Sequence, residues 1–397
     1  MSILIVGQYV PSTGLTTVIQ NLARCLNRDD SVSILGLAYA GPAVLDGATV
    51  YRDAFDRKTG VWNGLQDAAQ VTKPDVILLV SELSTQAGLL TEVARQHLPA
   101  KVVCYTLVEG TVVDQEMMAT LNAADGCVFF SEFAREQAAR CIDAEKLRVI
   151  PHGVDTDTFR PMGGPIGGDA DGDRQREARR ALFPEAPELL DSFIILNANR
   201  PWVRKRIDLT VGGFALFSRD KPASVKLYLH HARTSDFERR STRRLLQQFE
   251  VEDRVILGGT TGEEPALSGD HLNLVYNACD VGLNTSMAEG WGLVSFEHAA
   301  TGAAQIVPGY GTCGEIWRDA AVFLTAEGEN VYSFASHYTM NTVSAEQVAA
   351  KLESLYVDNE FRRRVATAGY RNATDPMYRW ESIARRWDDV FQKVLGG

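Results

Sequence analysis

Two glutamates and two cations stand in this chain at spacings that could do chemistry. Glu289 and Glu297 flank the run Gly-Trp-Gly-Leu-Val-Ser-Phe, and Arg200 and Lys205 follow an apolar run, Phe193 to Ala198, of strand length. Before Glu289, Asp280 to Ser286 reads as a short buried strand ending in small polar residues. After it, Leu293 to Thr301 reads as a helix closed by Gly302, and Ala304 to Val307 as a second strand. The first amides of such a helix have no intrahelical acceptor and sit at the positive end of its dipole. Small residues ahead of the helix let a phosphate approach them. Glu297, about two turns in from Gly290, is unsuited to phosphate but can accept hydrogen bonds from hydroxyls, such as those of a ribose. Glu289 would sit at the mouth of the turn. Phosphate-binding amides and a hydroxyl acceptor in one unit point to a sugar nucleotide.

Arg200 and Lys205 fit the same ligand. When a sugar leaves a nucleoside diphosphate, the diphosphate gains negative charge, and fixed cations aimed at it stabilise the transition state. Arginine offers a planar fork and lysine a compact point charge. Arg204 and Arg206 add charge beside them, and one of the two, with Arg206 taken as the donor-binding candidate, is expected to reach the phosphates as well.

These stretches resemble the donor site of retaining glycosyltransferases with the GT-B fold, the group often called group 1 or family 4. Glu289, Gly290, Trp291, Gly292, Leu293 and Glu297 match its glutamate pair and the turn between, as do Ala-Cys-Asp280 upstream and Gly314-Glu315 downstream. The resemblance implies that Glu289 lies near the donor sugar and Glu297 near the ribose. It matches Arg200 and Lys205 to the family's two phosphate cations, although Asn199 and Arg206 stand where the family has glycine. Gly14, in the loop Gln8–Gly14, corresponds to one of two glycines in the family's first loop. The turn at Gly259 corresponds to the one that holds the nucleobase by backbone groups, which leaves the base open. Leu147-Arg-Val-Ile-Pro-His-Gly-Val-Asp155 matches the family's end of the first domain. His152 there stands where the family more often has asparagine; the structural reading is preferred, with a general base on the acceptor side as the alternative. The family's histidine near the donor sugar is absent after Val102–Leu107, where Glu109 is the candidate for meeting an acceptor hydroxyl.

The elements that must position these residues are legible in outline. Length alone, 397 residues, predicts two domains. From the start, strand-length apolar runs alternate with helical spacing: Ser2–Val6, Leu15–Leu26, Val32–Leu37, Val76–Val80, Leu89–Leu98, Val102–Leu107, Cys127–Phe130 and Phe133–Cys141. This is the pattern of a parallel, doubly wound α/β sheet, whose ligands bind at the carboxyl ends of strands. With the resemblance, the expectation is a GT-B fold: two Rossmann-like domains facing a cleft. Residues 1–161 form an acceptor-side domain. Residues 162–192 form a Gly/Asp-rich linker with a short helix at Glu177–Leu182. Residues 193–377 form the donor domain, and a last helix, Trp380–Leu395, crosses back so that 378–397 join the first domain. Residues 326–342 read as an irregular loop.

Other classes are disfavoured. A net charge of -11 argues against nucleic acid and against an anionic membrane as main partner. The N-terminal MSILIVGQYV has no basic flank and no cleavage site, no run is long enough to span a bilayer, and six scattered cysteines form no C-x-x-C pair, so a cytoplasmic protein with reduced thiols is expected. Neither a Walker loop nor a dinucleotide fingerprint is present. Asp169, Asp171 and Asp173 mimic a calcium loop, but Arg174 and Arg180 stand where its glycine and last glutamate belong. With Asp155-Thr-Asp157 placed in the hinge turn, a cofactor-free, metal-independent transfer from a UDP- or GDP-sugar to a small-molecule or glycan hydroxyl is expected. Retention of configuration is implied by the resemblance alone. A GT-B sugar-nucleotide-binding protein, epimerase or phosphorylase stays open as the alternative, as do the acceptor and a homo-oligomeric state.

Overall fold

In the computed structural model, residues 1–10, 13–45, 47–53, 55–56, 61–62, 64–164, 166, 171–231, 236–259, 268–331 and 337–396 are described. The chain divides into two compact units. One comprises Met1–Gly153, Val331–Thr339 and Pro376–Gly397, the other Val154–Asn330 and Met340–Asp375.

The first unit is built on an eight-stranded sheet. Its strands run, edge to edge, Leu147–Val149, Gly126–Phe129, Lys101–Leu107, Val76–Glu82, Ser2–Gln8, Ser31–Leu37, Ala48–Asp53 and Val44–Leu45. Every pairing is parallel except the last. Helices cover such a sheet, so its central strands are apolar throughout; residues 76–80, Val-Ile-Leu-Leu-Val, are completely buried. The final helix, Trp380–Leu395, belongs to this unit and buries Ile383, Trp387, Val390 and Phe391 along one face. Gly153, where the unit's first segment ends, passes so close over Trp380 that a Cβ there would lie 2.6 Å from the indole.

The second unit carries a six-stranded parallel sheet in the order Val255–Gly258, Val225–His230, Phe193–Asn197, Val281–Leu283, Ala304–Pro308 and Val322–Leu324. The first strand in sequence, Phe193–Asn197, lies in the middle. The chain builds outward on one side with the next two strands and on the other with the last three. The crevice beyond Phe193–Asn197 and Val281–Leu283 is therefore the topological switch point, where open α/β sheets bind ligands. Its core joins Ile195, Leu227, Val281 and Ile306 of the sheet to Val211 and Phe214 of helix Ile207–Ser218 and Val348 and Leu352 of helix Ala345–Val357.

Two expectations need correction. Residues 326–342 are not simply irregular: Gly328–Val331 and Tyr338–Thr342 are strands, while 332–336 lie outside the described residues. Tyr338 and Thr339 pair antiparallel with Thr111 and Val112, and a partner so distant in sequence leaves no local periodicity. The linker is also shorter than expected. Its helix starts at Asp171, not Glu177, and takes in Asp173; Asp169 lies outside the described residues. Arg179 anchors this helix into the second unit. Its guanidinium is buried and donates to Asp280 Oδ2 at 2.7 Å, to the Ala278 carbonyl at 2.8 Å and to the Leu190 carbonyl at 3.1 Å.

Candidate functional site

The chain leaves strand Phe193–Asn197 into Asn199-Arg-Pro-Trp-Val-Arg-Lys205-Arg, and leaves Val281–Leu283 into Asn284–Gly292. These two loops stand on either side of the switch point and are tied to each other. Thr285 Oγ1 lies 3.1 Å from the Lys205 carbonyl, 2.9 Å from the Arg206 carbonyl and 2.7 Å from Thr210 Oγ1, and Asn197 Nδ2 donates to Thr210 Oγ1 at 2.8 Å. The Met287 amide donates to the Arg204 carbonyl at 2.8 Å.

Glu289 is the centre of this arrangement. It is buried, and its Oε1 accepts from Lys205 Nζ at 2.5 Å, Asn284 Nδ2 at 3.0 Å and Ser286 Oγ at 2.8 Å, while Arg204 stands 3.6 Å from Oε2. Burial pushes the carboxyl upward, but Lys205 and Arg204 outweigh it, and Glu289 is held down at about 2. It is therefore ionised at any ordinary pH.

The turn continues through Gly290 and Trp291 to Gly292, whose φ of 88° lies in the left-handed region that glycine enters without strain. Gly292 is the N-cap of helix Leu293–Ala300. The amides of Leu293 and Val294 head this helix, where no earlier carbonyl of the helix can accept from them. Trp291 is buried and packs on Phe296 with ring centroids 5.1 Å apart, so its side chain supports the turn from below.

Glu297 lies on this helix in the opposite electrostatic setting. Among the described residues no cation compensates it, and its one hydrogen bond there comes from the Tyr276 hydroxyl, 2.9 Å from Oε2. Burial raises it to about 7; the Tyr276 hydrogen bond pulls the other way, and Asp155 adds to the rise. The environment thus drives the two glutamates apart, one a permanent anion and the other poised near neutrality.

The remaining candidates distribute unevenly. Arg200 is half-buried, and burial lowers it while Glu238, on helix Asp236–Gln248, pulls it back up. Arg206 is turned elsewhere: it caps helix Ile207–Ser218 in a left-handed conformation and bonds Asp208 at 2.8 Å and Thr342 Oγ1 at 3.0 Å. Gly259, after strand Val255–Gly258, has φ of 90°, and a Cβ there would meet the His231 carbonyl at 2.4 Å. Gly14, Glu109 and His152 belong to the first unit. Gly14 opens helix Gly14–Leu26 behind the Thr13 cap. Glu109 is half-buried after strand Lys101–Leu107 and contributes, after burial, to raising Tyr338. His152 is buried; its Nδ1 lies 2.8 Å from the Tyr105 hydroxyl, its ring packs 3.8 Å from Phe130, and burial lowers it to about 3. Burial thus keeps this histidine neutral at ordinary pH.

Sequence reasoning did not single out Asn284, Ser286 and Tyr276 as partners of the two glutamates, and did not choose between Arg204 and Arg206. Asn284 and Ser286 were visible as small polar residues ending a buried strand. Tyr276 carried no signal, since its hydroxyl reaches Glu297 only through the packing of two helices. Among the described residues no three His, Cys, Asp or Glu side chains gather to hold a metal ion, and no helix is long and apolar enough to cross a membrane.

Comparison with known proteins bears on both units. Residues 12–158 match the family model "Glycosyltransferase Family 4", and residues 233–389 match "Glycosyl transferase-like". Two similar curated relatives are named D-inositol 3-phosphate glycosyltransferase. That of Xylanimonas cellulosilytica is 27% identical over 72% of this chain and 60% of its own length. That of Acidothermus cellulolyticus is 27% identical over 64% of this chain and 55% of its own. The chain thus spans less than two thirds of either relative. Among solved structures, sucrose-phosphate synthase from Thermosynechococcus elongatus superposes with a TM-score of 0.75 at 17% identity, covering 99% of both chains. Anabaena HepE in complex with UDP and glucose superposes at 0.74 and 14% identity, covering 99% of this chain and 100% of the other. At such identity these two establish the fold, GT-B.

Proposed function

We propose that this chain, which belongs to the GT-B glycosyltransferases of the group 1 or family 4 type, transfers a sugar from a nucleoside-diphosphate donor to a hydroxyl of a small-molecule or glycan acceptor. The observation that carries this reading is the Glu289 cluster at the switch point of the second unit. It fixes Lys205 and Arg204 beside a left-handed glycine turn and the head of a helix. In the reaction the bond from the anomeric carbon to the diphosphate oxygen breaks and one to the acceptor oxygen forms, and the acceptor proton passes to the departing phosphate. Lys205, Arg200 and the amides of Leu293 and Val294 stabilise the charge that gathers on that phosphate. Glu289 keeps Lys205 in place and offers its second oxygen toward sugar hydroxyls. Glu297 accepts from the ribose. Charge carried by these groups supports a transfer that needs no metal, and retention of configuration follows the family resemblance.

The similar proteins suggest where to begin. HepE is described with UDP-glucose, and the curated relatives are named for D-inositol 3-phosphate. The test is a transfer assay with UDP- and GDP-hexoses and a panel of cyclitols, cyclitol phosphates and sugars, with and without EDTA, and product configuration read by NMR. Acceptor-dependent release of UDP or GDP, insensitive to EDTA and giving a retained product, is expected. Donor hydrolysis or epimerisation without transfer would overturn the assignment.

A further inference from the structure

Helix Gly269–Asn277 lays Tyr276 against the face of helix Leu293–Ala300 that carries Glu297. Tyr276 is 1% exposed. Its ring stacks on His298, with centroids 5.4 Å apart at 26°, and tilts against Phe159 at 5.6 Å. Two aromatic neighbours therefore fix the direction in which the hydroxyl points. A phenol buried this deeply needs an acceptor, because an unsatisfied polar group in an apolar setting is costly. Among the described residues that acceptor is Glu297 Oε2, at 2.9 Å. The other carboxylate oxygen, Oε1, accepts from no described residue, and Glu297 keeps 9% of its surface accessible. One oxygen is anchored inward and the other is left to a ligand.

We propose that Tyr276 is a positioning residue, which turns the Glu297 carboxylate so that Oε1 receives the ribose hydroxyls of the donor and thereby sets a preference for ribonucleoside over 2′-deoxyribonucleoside diphosphates. The proposal rests on the donor reading given above. Two consequences follow from the chemistry. A ribose hydroxyl donates best to an ionised carboxylate, and hydrogen bonds to charged groups are the strong ones. Tyr276 is also the group that favours the ionised form of Glu297, against burial and the charge of Asp155. Among the described residues Asp155 is the one charged group that bears on Glu297, and His298, stacked on Tyr276, is held neutral by burial. Donor affinity should be full above pH 7 and fall as pH drops through that value, because protonation of Glu297 removes the acceptor.

The experiment is calorimetric titration of UDP, GDP and ADP, each with its 2′-deoxy counterpart, into wild type, Tyr276→Phe and Glu297→Gln between pH 6 and pH 9. Wild type should prefer the ribonucleotide by about tenfold, the usual effect of one charged hydrogen bond. Tyr276→Phe should lose most of that preference, and its binding midpoint should move to higher pH. Glu297→Gln should lose the preference and have no midpoint in this range. A Tyr276→Phe protein with wild-type selectivity and an unmoved midpoint overturns the proposal while leaving the donor site standing. Should Tyr276→Phe not fold, wild-type selectivity in Glu297→Gln overturns it equally. A wild type that binds none of the nucleotides removes the donor reading and the proposal together.

Discussion

Replacing Lys205 with methionine strips the buried Glu289 carboxylate of its closest cation while nearly preserving side-chain volume. Among the described residues Glu289 then keeps Asn284 and Ser286 as donors but only Arg204, at 3.6 Å, as a countercharge. A carboxyl held at about 2 against an ordinary 4.5 contributes about 3 kcal/mol at neutral pH, at ~1.36 kcal/mol per pH unit. Because the folded value is depressed, this stability is complete above the unfolded value near 4.5 and is lost as pH falls through about 2. Removing one partner of a buried pair costs a similar ~3–5 kcal/mol. Lys205→Met should therefore lose about 3 kcal/mol in urea unfolding at pH 7. The loss should shrink at pH 4, where the uncompensated carboxyl of the variant is protonated. The double variant Lys205→Met/Glu289→Gln should recover part of the loss, since it leaves no buried charge alone. A loss below about 1 kcal/mol at pH 7, or one of equal size at both pH values, would refute the reasoning.

Three further outcomes are expected. Arg200→Ala should lower kcat about a hundredfold in the transfer assay, the usual effect of removing one transition-state donor; an unchanged kcat sinks its assignment to the phosphates. Gly292→Ala should cost about 1 kcal/mol in thermal unfolding and Gly292→Asn less. A new Cβ there meets nothing closer than 3.8 Å, so the cost is the left-handed backbone and not a clash. His152→Asn should leave the pH profile of kcat unchanged and reduce the protein's loss of stability between pH 6.5 and pH 3. The depressed value of this histidine makes its contribution complete above 6.5 and lost on acidification through about 3.

Much of this was legible in the sequence, for identifiable reasons. Strands buried on both faces announce themselves as short apolar runs, and Trp380–Leu395 has the observed limits because its apolar spacing at Ile383, Trp387, Val390 and Phe391 is complete. Glu289 and Gly292 stood out because a glycine turn before a helix is a local device with a local signature, and Lys205 because it follows the end of a strand. What escaped depends on distant partners. Tyr338–Thr342 is a strand beside Thr111 and Val112. Asp171–Leu182 is held by Arg179 reaching Asp280. Arg206 is the exception, with a partner close in sequence: Asp208, two residues on, accepts from its guanidinium. Nothing in the spacing of Glu289 and Glu297 foretold that one is held at about 2 and the other raised to about 7; that difference lies in which neighbours the fold supplies.

The central claim is that the second unit binds a nucleoside diphosphate through the turn before Leu293 and through Glu297. Thermal unfolding of wild type and Glu297→Ala with UDP, GDP, ADP and dTDP tests it most directly. At a hundred times its Kd a nucleotide adds about 2.7 kcal/mol of stability. One of the four should raise the wild-type Tm clearly, and the rise should shrink in Glu297→Ala. If none of the four shifts the wild type, or if the rise is the same in both proteins, the claim is contradicted.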